Sequence, residues 1–371
     1  MDRTHRSSRI IGRLAALLLP ALLAAAAPGL AGTVDGRLAV SSGYLDHPIG
    51  VSTESSAGYL SGEMTLSLLM PAGQNTWKLG YEGTVTAFGN DVGLGFQRHA
   101  VGLEWWRTDP ATRAVTAAGV QVGRRIQEDV YSFYDYTEAT GYFSLKRYLS
   151  GSLLWRGYLT GRTRRYDDLS EESYLEGVVG TSLQRFWASG TSLAVSASLG
   201  GKVYDDPLAR VVWETPDDPT TSQAAAGVVL TRNLGPRAGL RLGWTGRWSL
   251  ATFPYVVEAD LYDSPLLDRY ASEGHAFEGS LRLLLPWPAW LRIGGVVARD
   301  DYGPLQFASA DGGAVRRDDI IRIYASLRKR LGPTGRAPEL VVGTAWRDQS
   351  STLSYYDFSG VQLFSSLGWS W

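Results

Sequence analysis

Fourteen basic side chains recur on the polar side of alternating segments: Lys78, Arg98, Arg125, Lys146, Arg156, Arg162, Lys202, Arg241, Arg247, Arg282, Arg292, Arg322, Arg328 and Arg347. Glu63, Glu82, Glu104, Glu176 and Glu278 share that side. If the polar side encloses a lumen, its chemistry is attraction of anions, because rings of Arg and Lys favour anionic solutes. Five carboxylates leave at least nine of the fourteen basic groups without an acidic wall partner. The competing reading is a rigid interior in which Arg and Glu pair across the wall, helped by loop carboxylates folded into the mouth. The remaining acidic residues gather between the segments, at Asp167, Asp168, Glu171, Glu172, Asp205, Asp206, Asp217, Asp218, Glu258, Asp260 and Asp263.

Other chemistry finds little support. There is no cysteine, which excludes disulfides, thiolate metal sites and cysteine catalysis. His5, His47, His99 and His275 show no metal-ligand spacing. No histidine joins a serine in a lipase pattern, and no Gly-x-Ser-x-Gly marks a strand-to-helix turn. His99 and His275 read as single polar-wall or rim residues. Asp300-Asp301 and Asp318-Asp319 offer oxygen ligands for a divalent cation, although such pairs are usually a solvated loop. No glycine motif opens a phosphate-binding helix. The expectation is a non-enzyme without metal or cofactor. Thirty-six basic against 37 acidic residues lack the excess of a nucleic-acid binder.

The elements that hold these side chains follow from a period of two. Leu240, Leu242, Trp244, Trp248 and Leu250 share one face, against Arg241, Thr245, Arg247 and Ser249. Trp77, Leu79, Tyr81 and Val85 likewise oppose Lys78, Glu82, Thr84 and Thr86. A helix would scatter these residues around its axis. Sixteen such segments occur, at about 37–45, 56–70, 75–88, 95–107, 114–127, 138–150, 152–163, 173–187, 190–203, 222–233, 237–250, 274–286, 288–299, 319–331, 337–348 and 359–371. The count lies within a range of 14 to 18, and boundaries carry an error of about two to four residues. Glycine and proline punctuate short links after the even segments, as at Pro71-Ala72-Gly73, Ser150-Gly151 and Leu234-Gly235-Pro236. Links after the odd segments are longer, at 128–137, 164–172, 204–221, 251–273 and 300–318, with Gly89 to Leu94 as the short exception. Alternating short and long links fit short periplasmic turns and long outer loops.

Trp77, Trp105, Trp155, Trp187, Trp290, Trp369 and Trp371 lie near the short-link ends of the segments. Tyr44, Phe88, Trp248 and Trp346 lie near the other ends. Two aromatic girdles at headgroup level are the expectation. The loop Tyr131, Phe133, Tyr134, Tyr136 could stack on sugars, and the loop with Pro254, Tyr255, Glu258, Tyr262, Asp263 and Tyr270 could constrict a channel. Ordinary loop-to-loop packing is the preferred reading of both.

Arg3, Arg6, Arg9 and Arg13 precede the apolar stretch Leu14–Ala27 and the small residues Gly29-Leu30-Ala31. That order predicts a secretory signal peptide over 1–31, cleaved after Ala31. Fourteen apolar residues are short for a spanning helix, which needs about 20. Residues 32–371 are then one domain, an all-β, transmembrane antiparallel up-and-down β-barrel of about sixteen strands.

The segment Gly360-Val361-Gln362-Leu363-Phe364-Ser365-Ser366-Leu367-Gly368-Trp369-Ser370-Trp371 alternates and stops on an aromatic. With it, the chain resembles bacterial outer-membrane β-barrels of the porin-like and export-channel kind. The resemblance implies a Gram-negative outer-membrane location after signal cleavage, amid outer-membrane lipid and lipopolysaccharide. It also implies that Trp369 and Trp371 form the signal read by the barrel-insertion machinery. The implied function is a passive or export channel for polar solutes, and the basic excess on the wall makes anions the expected ones. One alternative is secretion of an anionic exopolysaccharide with periplasmic export components as partners. Another is a non-conducting barrel that presents acidic, aromatic loops as an adhesin or receptor.

Overall fold

In a computed structural model of the chain, the described residues are 32–47, 56–89, 94–170, 173–205, 220–250, 272–302, 316–332 and 337–371. They form sixteen strands: β1 (Thr33–Leu45), β2 (Ala57–Ala72), β3 (Asn75–Phe88), β4 (Phe96–Asp109), β5 (Ala114–Gln127), β6 (Tyr136–Ser150), β7 (Leu153–Tyr166), β8 (Tyr174–Phe186), β9 (Thr191–Tyr204), β10 (Thr220–Gly235), β11 (Ala238–Ser249), β12 (Ser272–Leu284), β13 (Ala289–Tyr302), β14 (Arg317–Arg330), β15 (Glu339–Ser351) and β16 (Phe358–Ser370). Each strand pairs antiparallel with its neighbours in sequence, and β1 pairs with β16, so the sheet closes. All sixteen expected segments are strands, several of them longer at the loop end than alternation alone suggested. Short 3-10 turns form at Asp129–Tyr134 and Ser354–Tyr356. The segment 1–31 and the loop residues 251–271 lie outside the described residues.

Closure is the physical solution to a sheet in lipid, because an open edge would leave N–H and C=O groups unpaired in hydrocarbon. The last bonds are made by the chain ends: the Gly36 N–H donates to the Trp371 carbonyl, and the Trp371 N–H to that of Gly36, both at 3.0 Å. Gly36 also makes room for the Trp371 ring, since a Cβ at Gly36 would sit 2.3 Å from it.

The outward face carries Val101, Val120, Val122, Leu159, Leu175, Val179, Phe277 and Val297, each more than half exposed. A continuous apolar band of that size on a water-facing surface would drive association. On a lipid-facing surface it is the expected solvent contact. Turns join even to odd strands at one end, with Gly73 (φ 64°) and Gly190 (φ 72°) supplying the left-handed conformation. At the same end the Asp109 carboxylate accepts from the Ala111 N–H (3.0 Å) and the Thr112 hydroxyl (2.6 Å), fixing the turn after β4.

Candidate functional site

The inner wall is assigned by register. Lys78 lies opposite Glu104, Arg98 opposite Arg125, Lys146 opposite Arg156, and Arg162 opposite Glu176. Continuing around the sheet, Glu176 faces Lys202, Arg282 faces Arg292, and Arg322 faces Arg347. Arg241, Arg247, Glu278, Arg328, Glu63 and Glu82 hold the same inward parity on their strands. All nineteen charged residues singled out above therefore lie on the face opposite the apolar band.

The same parity brings in charges that the sequence reading left out. Arg37, Arg164 and Arg330 point inward, as do Asp35, Glu138, Asp300, Asp318 and Glu339. Glu138 shares the parity of Lys146 and was legible on that ground. Arg164 and Asp300 fell in segments read as loops, because β7 and β13 run further outward than their alternation suggested.

Towards the loop end the charges are locked together. Glu138 is buried and accepts two hydrogen bonds from Arg164, from Nε at 3.0 Å and Nη2 at 2.6 Å. Arg98 (3.8 Å) and Arg162 (3.7 Å) flank the same carboxylate, and Arg162 also reaches Glu176 at 3.8 Å. Aromatic rings complete the cluster. The Arg164 guanidinium lies 4.1 Å over Tyr136, Lys202 Nζ 4.3 Å over Tyr174, and Arg125 3.9 Å over Phe96. Tyr136 meets Tyr166 edge-on at 5.5 Å, and Tyr174 meets Tyr204 at 5.9 Å.

A second cluster closes the opposite side. Arg247 donates to Asp300. Asp318 accepts from Arg316 Nη2 (2.6 Å), Gln349 Nε2 (3.1 Å) and the Ser351 hydroxyl (2.7 Å). Arg316 lies 3.4 Å over Tyr356 and 4.2 Å over Tyr302. Burial opposes the charge on Arg316, but the hydrogen bonds and charge of Asp318 together with Tyr302 and Tyr356 outweigh it and raise the guanidinium above its ordinary value. The aspartate pairs considered for a cation are thus committed to arginines: Asp301 pairs with Arg317, and Asp319 with Arg299 at 3.8 Å. No three metal-ligating side chains converge among the described residues.

Nearer the turn end, Lys78 pairs with Glu104 at 3.2 Å, Arg292 with Glu278 at 3.2 Å, and Arg328 with Glu339 at 3.4 Å. Arg282 stacks 4.0 Å over Trp290. The side chains of Lys146, Arg156 and Arg241 here, and of Arg322 towards the loop end, are exposed to the interior and have no ion pair or hydrogen bond among the described residues. Lys146 and Arg156 oppose each other directly across β6 and β7. Like charges so placed are destabilising unless something anionic lies between or above them. Arg322 and Arg347 line a cavity of about 520 Å³ with Asp46, His47, Phe358 and Gln362.

Four expected placements change. Trp290 and Phe88 face inward, Trp290 beneath Arg282 and Phe88 against Tyr59 at 6.2 Å, so neither belongs to a girdle. His99 and His275 are on the outward face rather than on the polar wall. His99 Nδ1 lies 2.8 Å from the Tyr81 hydroxyl, and His275 stacks on Trp244 at 5.9 Å. Trp369 and Trp371 are on the outward face at the seam between β16 and β1. The aromatic loop packs on itself: Phe133 lies 4.2 Å from Tyr134, and Leu94 packs with them.

A closed antiparallel sixteen-stranded sheet, apolar outside and polar within, defines an outer-membrane β-barrel. Comparison of the fold agrees. OprD from Pseudomonas aeruginosa is similar with a TM-score of 0.50 and 8% identity, over 91% of this chain and 95% of that one. The outer membrane protein OpdK from the same organism gives 0.50 and 12%, over 91% and 99%. CdiB from Acinetobacter baumannii gives 0.56 and 11%, over 91% of this chain but 60% of that one. At these identities the likeness is one of fold. No family model and no curated protein matches the chain in sequence.

Proposed function

We propose that the protein is a porin-like channel of the outer membrane that passes polar solutes and prefers anions. A sixteen-stranded barrel is wide enough to enclose an aqueous lumen. The observation that carries the anion preference is the set of inward basic residues without a carboxylate partner, above all the opposed Lys146 and Arg156. With the newly placed residues included, the wall holds seventeen basic against ten acidic groups. Three of the unpaired groups, Lys146, Arg156 and Arg241, lie near the turns, away from the two locked clusters, where a passing solute would meet them. Such charge lowers the electrostatic cost for anions and raises it for cations.

Reversal potentials across planar bilayers under a salt gradient test this. The expected result is anion preference, reduced in K146Q/R156Q. Cation preference in the unaltered protein would overturn it. Absence of any conductance would instead favour the reading as a non-conducting receptor. Loss of an extracellular polysaccharide on deletion would favour the exporter.

A further inference from the structure

The outward face holds a second pattern of charge, at the turn end of the barrel. Four consecutive even strands each place one basic residue there, within three positions of the strand's end. These are Arg107 on β4, Arg147 on β6, Arg185 on β8 and Arg232 on β10. Register assigns them to the apolar side: Arg147 lies opposite Trp155, Arg185 opposite Leu153, and Arg232 opposite Leu240. Arg107 shares the parity of Val101, Leu103 and Trp105. All four are exposed; Arg107 feels the charge of Asp109, and Arg147, Arg185 and Arg232 have no carboxylate partner among the described residues. The nearest outward carboxylate, Asp109, is engaged in its own turn. Lys329 continues the pattern on β14, while Met70 and Leu283 occupy the corresponding places on β2 and β12.

The loop end of the same outward face is arranged differently. There Arg124 pairs with Asp167 at 2.6 Å, Arg299 with Asp319 at 3.8 Å, and Arg317 with Asp301. At the loop rim three outward arginines are thus paired by the protein and the remaining outward charges of the described strands, Arg165, Glu273 and Asp348, are of mixed sign, whereas the turn rim carries a run of arginines. An open guanidinium beside lipid-facing tryptophans cannot be paired by lumen solutes, which are on the other side of the wall. It sits where a long basic side chain reaches headgroup level. Trp77, Trp155 and Trp187 mark that level, and Arg185 lies 5.4 Å over the Trp187 ring. Alternate strands are roughly 10 Å apart, which spaces the four arginines on the scale of individual headgroups.

We infer that Arg107, Arg147, Arg185 and Arg232 form a belt that binds the phosphates of anionic phospholipids in the periplasmic leaflet. The belt selects lipid around the barrel and is independent of what crosses the lumen. Each basic residue at a membrane surface contributes about a fivefold preference for anionic over neutral lipid.

The test is quenching of tryptophan fluorescence in vesicles by brominated phosphatidylglycerol against brominated phosphatidylcholine. The full chain should bind phosphatidylglycerol at least several-fold more strongly, and less so in high salt. R107Q/R147Q/R185Q/R232Q should bring the two lipids close to parity. R147Q/R185Q should give an intermediate preference, which keeps the test open should the fourfold variant fail to insert. R165Q/R299Q, at the opposite rim, should keep the full preference. Equal quenching of the unaltered protein would overturn the inference. So would a preference that survives in R147Q/R185Q undiminished, or one that is lost in R165Q/R299Q.

Discussion

At the residue scale, Glu138 is the most consequential side chain for the outer part of the wall. One buried carboxylate holds Arg164 by two hydrogen bonds and has Arg98 and Arg162 within 4 Å. Removing one partner of a buried charge cluster leaves the others uncompensated. Glu138→Gln should therefore destabilise the barrel by about 3 kcal/mol, read as a lower temperature for the heat-induced shift in gel mobility. Asp135 gives a pH-dependent case in the loop before β6. Burial raises its carboxyl above the ordinary value, with the Gln127 N–H at 2.6 Å opposing and the Asp167 charge adding to the rise. A raised carboxyl stabilises the fold below the ordinary aspartate range and loses that contribution as pH rises through the folded value. Asp135→Asn should thus flatten the stability profile on the acid side and leave the loop no weaker at neutral pH, as unfolding midpoints across pH 3 to 7 would report.

At the element scale, each strand is specified by alternation, but its neighbours fix what its side chains can be. Gly180 shows this on the inside: a Cβ there would lie 2.3 Å from the Tyr158 ring. Gly36 shows it on the outside, beneath Trp371. Adding bulk at such a contact typically costs about 1–3 kcal/mol. Gly36→Val should displace the Trp371 ring from the closing seam and lower thermal stability by that order, while Gly177→Val, with open space around it, should change little. Comparing the melting of the two variants in detergent checks the assignment. Strand ends were the least legible part of these elements. Arg164 and Asp300 looked like loop residues because polar residues succeed one another at Arg164-Arg165 and Asp300-Asp301. In the barrel the strand continues there, one residue inward to a carboxylate or guanidinium and the next outward to the rim.

At the scale of the whole molecule, charge is distributed in three zones. The lumen near the loops is a locked network of arginines, carboxylates and tyrosines. The lumen near the turns holds open basic groups, and so does the outward rim below it. The proposed anion preference and the proposed lipid belt use different surfaces, so they separate experimentally. K146Q/R156Q should alter ion selectivity and leave lipid preference intact. R147Q/R185Q should do the reverse, although Arg147 adjoins Lys146 in sequence and Arg156 lies on the next strand. Measuring both properties on both variants checks the independence of the two faces.

The amino-acid sequence by itself determined that there are about sixteen strands, the closed-sheet class and the face of the charged residues within the alternating segments. The physical reason is that side chains alternate with a period of two, so face follows from parity without knowledge of any partner. Parity even contained the correction for Trp290 and Phe88, which share it with Arg292 and Thr86; nearness to a strand end does not choose a side. Only the tertiary structure decided which charges meet. Arg164 reaches Glu138 because β6 and β7 pair with Tyr136 opposite Tyr166, whereas eight residues further along the same two strands Lys146 meets Arg156 and finds no acid. Register between strands is set by turns and by the stagger of the closed barrel. Neither quantity is written in the alternation of one strand, and both decide whether a basic residue is locked, stacked or open to a passing anion.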